Sequence, residues 1–230
     1  MLGQPVRIVC LLLLLNTIAS AQSAVPDADK KPAVTETTAD PSDSMEQPLL
    51  GDHWTYEVHD EITGNLKFTT TNLITDVTNT DISIRTENLG VPGVGFLVYD
   101  RNWNLKSSPT WKYSPNDGTG IRLPAKAGTT WKFQSNDLYA QRGISFQRTG
   151  SSKIVAEESV TTAAGTFNTF KIETSINARN ANDPTKKFEF AMTTWYAPRI
   201  DHWVKRISKT LSEGHVSENT SYELGEYGRR

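Results

Sequence analysis

The chain has 230 residues, with 24 Lys and Arg against 26 Asp and Glu, a net charge of −2 and one cysteine. A balance so close to neutral leaves no electrostatic footprint for nucleic acid, and a lone cysteine excludes a disulfide framework.

From the N-terminus, Arg7 precedes an apolar run over residues 8–15, and Ala19, Ser20 and Ala21 form a small-x-small cleavage site. This is the pattern of a signal peptide, and the run is well short of the roughly 20 residues needed to span a bilayer. Cleavage after Ala21 leaves a product that starts at Gln22, with no membrane-spanning segment and no thiol. The expected location is the periplasm or the exterior. Cys10 lies inside the apolar run, between Val9 and Leu11, where a lipid-modified cysteine would not sit, so a lipoprotein is not expected. Residues 22–47 carry six acids against Lys30 and Lys31, and they have few large apolar side chains. Such a stretch cannot offset its ordering entropy by burial and reads as a disordered acidic linker. Subtracting both segments leaves +1 for residues 48–230.

That remainder alternates with period two. Trp54, Tyr56 and Val58 oppose His53, Thr55 and Glu57, while Ile82, Ile84 and Thr86 oppose Ser83, Arg85 and Glu87. Later, Phe170, Ile172, Thr174 and Ile176 oppose Lys171, Glu173 and Ser175. Phe188, Phe190 and Met192 likewise oppose Lys187, Glu189 and Ala191. Alternation of this kind marks antiparallel strands with one wet face. Turn signals recur between the runs, near Gly64, Pro92, Gly118, Gly165, Pro184 and Gly214. About a dozen strands at this spacing predict an all-β protein, a strongly curved antiparallel sheet, half-barrel or sandwich. Only residues 136–142 could hold a short helical turn.

The approach to Trp54 recurs 77 positions later at Trp131. In both places a Gly is followed by two polar residues, Trp, one polar residue and an aromatic. This predicts two pseudo-repeats, a first β unit over residues 48–122 and a second over 123–230, within one folded domain. Trp54 and Trp131 are both read as core.

Residues 162–173, around Ala164-Gly165-Thr166-Phe167, resemble the strand entry of a family of exported β proteins of the Gram-negative envelope. Trp195-Tyr196-Ala197-Pro198 followed by Trp203-Val204-Lys205-Arg206 is similar to that family's hairpin, and Gly51 to Tyr56 to its first strand. The resemblance implies a β fold similar to the half-barrels that carry lipoproteins across the periplasm, and it supplies no catalytic residues. One departure is that Arg199, Ile200, Asp201 and His202 occupy a turn where the family usually has a glycine.

Candidate sites are few. His53 and His59 sit near several acids but lack compact ligand spacing, so no metal and no cofactor are expected. Asp201 and His202 could form an acid–base pair; no nucleophile elbow accompanies them, and a turn explains them as well. The remaining set is aromatic: Trp103, Trp111 and Trp195, with Tyr196 and His202 nearby, are the candidate ligand-binding residues. Strand parity puts Trp195 opposite Phe188, Phe190 and Met192, where a covering layer would bury it or a ligand would stack on it. The expected function is non-enzymatic, a module binding an apolar ligand or an envelope protein on its large apolar face. The alternative is a carbohydrate or peptidoglycan binder using exposed tryptophans, and a hydrolase with an unrecognised carboxylate pair ranks third. N-terminal sequencing of exported material should begin at Gln22; acylation at Cys10 or retention in the inner membrane would overturn the export reading.

Overall fold

The computed structural model describes residues 45–212 and 214–229. The expected signal peptide and residues 22–44 of the linker lie outside them. The described body is built of strands: β1 (His53–Asp60), β2 (Leu66–Val77), β3 (Asp81–Asn88), β4 (Gly95–Asp100), β5 (Leu105–Ser107), β6 (Trp111–Ser114), β7 (Thr130–Tyr139), β8 (Ile144–Thr162), β9 (Gly165–Asn180), β10 (Lys187–Ala197), β11 (His202–Ser212) and β12 (His215–Gly228). One 3₁₀ turn, Pro198–Ile200, follows β10. Residues 136–142 are strand and turn, because the alternation of β7 runs on to Tyr139.

Each strand pairs antiparallel with its neighbour in sequence, and β1 also pairs with β12. The sheet is therefore a closed twelve-strand barrel, neither an open half-barrel nor a sandwich. Closure removes both free edges. The outer face carries exposed Glu57, Lys132, Lys153, Glu173, Arg179 and Glu189, the reverse of the apolar band that a membrane barrel turns to lipid. No helix among the described residues is long and apolar enough to cross a membrane.

Twelve strands enclose more space than side chains alone readily fill. One end is nevertheless filled. Trp54, Trp103, Ile121, Phe167, Ile200, Trp203 and Met45 are buried there in one cluster. Met45 donates its N–H to the Arg199 carbonyl at 2.8 Å, so part of the stretch expected to be linker is bonded to the body. Asp52, fully buried, accepts from Arg229 Nε at 2.8 Å and from Leu49 N–H at 2.8 Å. This ties the start of the body to its last described residue.

Away from that end the inner face is more polar than the sequence pattern suggested. Thr70, Asn72, Ser135, Asp137, Ser152, Thr174 and Thr194 are buried, so the single large apolar face expected from alternation is absent. Their polar atoms find partners along the same wall: Ser152 with Thr174 on the neighbouring strand at 2.8 Å, Ser135 with Asp137 of its own strand at 2.6 Å, and Arg148 Nε with Asp137 at 2.6 Å.

The two halves of six strands begin alike. Trp54 and Trp131 each hold the second position of their strand, on β1 and β7. Gly51 and Gly128, both with φ near +90°, donate to Ile74 and Ile154, which in turn donate to Asp52 and Thr129. Both partner strands bulge at the following residue, Thr75 in β2 and Val155 in β8. Glycine is needed at both corners because a Cβ is strained at that φ. Burial of the two tryptophans differs. Trp54 is sealed in the plug; Trp131 is half-buried, covered on one side by the loop before β7, where its Nε1 donates to the Gly118 carbonyl at 3.4 Å. Trp54→Ala should therefore cost about 3–5 kcal/mol in denaturant unfolding, and Trp131→Ala roughly 1–2 kcal/mol. Equal losses would show that the closed end does not depend on Trp54.

Candidate functional site

Strand direction sorts the loops onto two ends. The plugged end holds the turns after β4, β6, β8 and β10. The other end holds the β1–β2 hairpin and the β3–β4 loop. Beside that loop opens a cavity of about 590 Å³, inside the roughly 300–1,000 Å³ range of small-molecule sites. Its floor is Tyr56, Tyr99, Trp203, Arg206 and Tyr222, and Asn72 and Thr86 line it as well. Apolar side chains, Phe68, Val91, Val94, Leu97 and Met192, line it further. Around the mouth, Ile62, Leu66, Leu89, Val91 and Val94 are exposed, Leu89 to 79%.

The floor is set by a bulge. The β10–β11 register slips between Trp195 and Tyr196, so that Trp195 faces Lys205 while Tyr196 faces Trp203, leaving Val204 unpaired. A bulge re-aims the chain locally, and here it turns Trp203 inward alongside Arg206. The guanidinium lies 3.7 Å from the Trp203 ring centroid, and its Nε donates to Thr194 Oγ1 at 3.1 Å. Burial lowers the Arg206 pKa from its ordinary value, opposed by the field of Tyr99, Asp117 and Tyr56. Arginine stays protonated regardless. Among the described residues no carboxylate pairs with it. Asp117, whose pKa burial raises, is already engaged by Thr119 and by the Leu105 N–H.

Behind the floor lies the aromatic plug. His202 is fully buried, stacked on Trp54 with centroids 4.2 Å apart and against Trp203 at 3.7 Å. Its Nδ1 is 2.6 Å from the Tyr56 hydroxyl, and that hydroxyl lies 2.8 Å from the Trp203 carbonyl. With the phenol proton given to the carbonyl, Nδ1 carries the hydrogen and donates to the phenol oxygen; Nε2 is then a buried acceptor without a partner. Burial, with the Arg206 charge behind it, pushes the imidazole well below its usual pKa. Asp201 beside it accepts from the Tyr196 hydroxyl at 2.7 Å and is pushed up to about 6 by burial. Asp201 also resolves the departure in the turn: at φ +43° it takes the left-handed conformation itself, and its N–H donates to the Pro198 carbonyl. Aspartate is among the few non-glycine residues that tolerate this.

The five sequence candidates are not brought together as one site. Trp103, Tyr196 and His202 are buried in and around the plug. Trp111 faces Tyr113, Tyr139 and Phe146 on the opposite wall. Trp195 lies on the outer face, as its parity predicts, and half-buried; no second sheet covers it. Lys171 and Lys205 stand over its ring at 5.4 and 5.9 Å, and its Nε1 donates to Glu158. Hence the tryptophans make no common platform. Among the described residues no three His, Cys, Asp or Glu form a metal set. Arg206, Tyr99 and Tyr222 are absent from the sequence-derived set, because the unpaired Val204 breaks the alternation that would have marked Arg206 as an inward cation.

No protein-family model matches the chain, and no curated protein does. Solved structures do. One, assigned provisionally as a lipoprotein of Parabacteroides distasonis, is 13% identical over 80% of this chain and 99% of its own, with a TM-score of 0.51. A provisionally exported Bacteroides fragilis protein with a YmcC-like fold is 13% identical, covering 81% and 99%, at 0.49. The hypothetical lipoprotein YmcC of Escherichia coli is 12% identical, covering 82% and 90%, at 0.48. The likeness is one of fold.

His202 generates a pH prediction. A group whose pKa is depressed on folding stabilises the fold above its unfolded value and loses that contribution below it. The unfolded imidazole titrates near about 6.5. Asp201, raised on folding, works in the opposite sense and is shared by both proteins. In thermal unfolding, the advantage of the native protein over His202→Phe should shrink as pH falls from 7 to 5. An advantage independent of pH would show that His202 is not held neutral.

Proposed function

We propose that the protein is an exported, non-catalytic binding module that takes an apolar ligand into the open half of its barrel. The observation that carries this reading is the 590 Å³ cavity, with Phe68, Leu97 and Met192 on its walls and exposed apolar side chains at its mouth. A closed barrel wider than its filling is a common ligand-holding architecture. The non-catalytic part is supported by His202, which is buried and does not line the cavity, so the histidine–aspartate pair does not face it. Export is supported by the signal pattern before Gln22. A protein partner docked at the mouth would leave the lumen unfilled, so the geometry favours a small ligand.

Filling the cavity tests this. Ser208 is half-buried and lines the cavity; Ser208→Trp should reduce binding of the uncharged fluorophore N-phenyl-1-naphthylamine at least tenfold while melting within a few degrees of the native protein. Unchanged binding would place the probe elsewhere and remove the cavity from consideration.

A further inference from the structure

The cavity floor gathers hydrogen-bond donors, and no carboxylate among the described residues lines it. Arg206 uses its Nε on Thr194 and one face on Trp203, which leaves the N–H groups of both terminal nitrogens for the lumen. The Tyr56 hydroxyl is spent between His202 and the Trp203 carbonyl. The hydroxyls of Tyr99 and Tyr222, also on this floor, have no protein partner among the described residues. By contrast, Arg148 on the far wall is paired with Asp137 at 2.6 Å. The half-buried Arg206 cation faces the cavity without a counter-charge, and the Tyr99 and Tyr222 hydroxyls are open to the lumen beside it. A planar guanidinium held by stacking presents its donors in a fixed fork that matches an oxyanion. From Arg206 the wall continues through Met192, Leu97 and Phe68 and past Val91 and Val94 of the β3–β4 loop, interspersed with the uncharged Thr70, Asn88 and Ser208 and with no second cation.

Resting on the lumen-binding reading above, we infer that the ligand is a single-chain amphiphile whose oxyanion head, carboxylate or phosphate, sits on Arg206 with Tyr99 and Tyr222, its tail directed to the mouth.

Titration calorimetry of the purified protein with dodecanoate, dodecyl phosphate, methyl dodecanoate and inorganic phosphate tests this, alongside Arg206→Met and the shape-preserving Tyr99→Phe/Tyr222→Phe double variant. The native protein should bind at least one of the two anionic amphiphiles roughly ten- to a hundredfold tighter than the methyl ester; which one is preferred identifies the head. Arg206→Met should abolish that preference while retaining the ester, and the double variant should weaken it several-fold with melting unchanged. Equal binding of acid and ester, or a preference that survives Arg206→Met in a folded variant, overturns the inference and leaves the lumen-binding reading standing. Inorganic phosphate binding as tightly as dodecyl phosphate overturns the amphiphile. If none of the chain-bearing compounds binds the native protein, the lumen-binding reading fails and takes the inference with it.

Discussion

Pairing of β1 with β12 is the constraint from which the rest follows. It joins residues more than 150 positions apart in sequence, from His53↔Gly228 to Asp60↔Thr220, and fixes the strand number at twelve. That number sets an interior wider than one layer of side chains fills. The chain resolves the excess unevenly. Large rings, Trp54, Trp103 and Trp203 with His202 between them, occupy one end, while the other end keeps its space.

Uneven filling also governs the electrostatics. Polar groups that point inward must find partners, because an unmet buried donor or acceptor costs about 1–3 kcal/mol. On the β7–β10 side they do: Asp137 takes Arg148 and Ser135, and Ser152 takes Thr174. On the β11–β12 side the cation Arg206 faces aromatic rings and hydroxyls instead of a carboxylate. The same barrel thus holds one arginine that is structurally satisfied and one whose charge is met only by rings and dipoles.

Much of the fold was legible in the sequence, and for local reasons. Period-two alternation over His53–Asp60, Asp81–Asn88 and Lys187–Ala197 located strands, because side chains on a strand alternate between faces whatever the topology. The recurrence around Trp54 and Trp131 located the start of each half. Closure was not legible, since nothing within a strand reports which edges will meet. The inner polar residues were hidden for a related reason: Thr and Ser suit either face of a strand, and only a wide lumen lets them turn inward. The candidate site was the least readable part. Trp103 could not be assigned to a face because its segment alternates poorly; it takes φ +62° in a tight turn and drops into the plug. Arg206 escaped notice because one unpaired residue shifted its parity.

Closure by the first and last strands also sets when the barrel can form. Without β12 the sheet of β1 to β11 has two open edges, each a template for strand addition. The contacts that seal it have the longest sequence separation in the molecule, and such contacts form slowly because loop-closure entropy comes first. Until Tyr222 and Leu224 reach Val58 and Tyr56, nothing ends the exposure. The last fourteen-residue strand therefore acts as the molecule's folding latch, and any truncation that removes it leaves an aggregation-prone ribbon where a barrel should be.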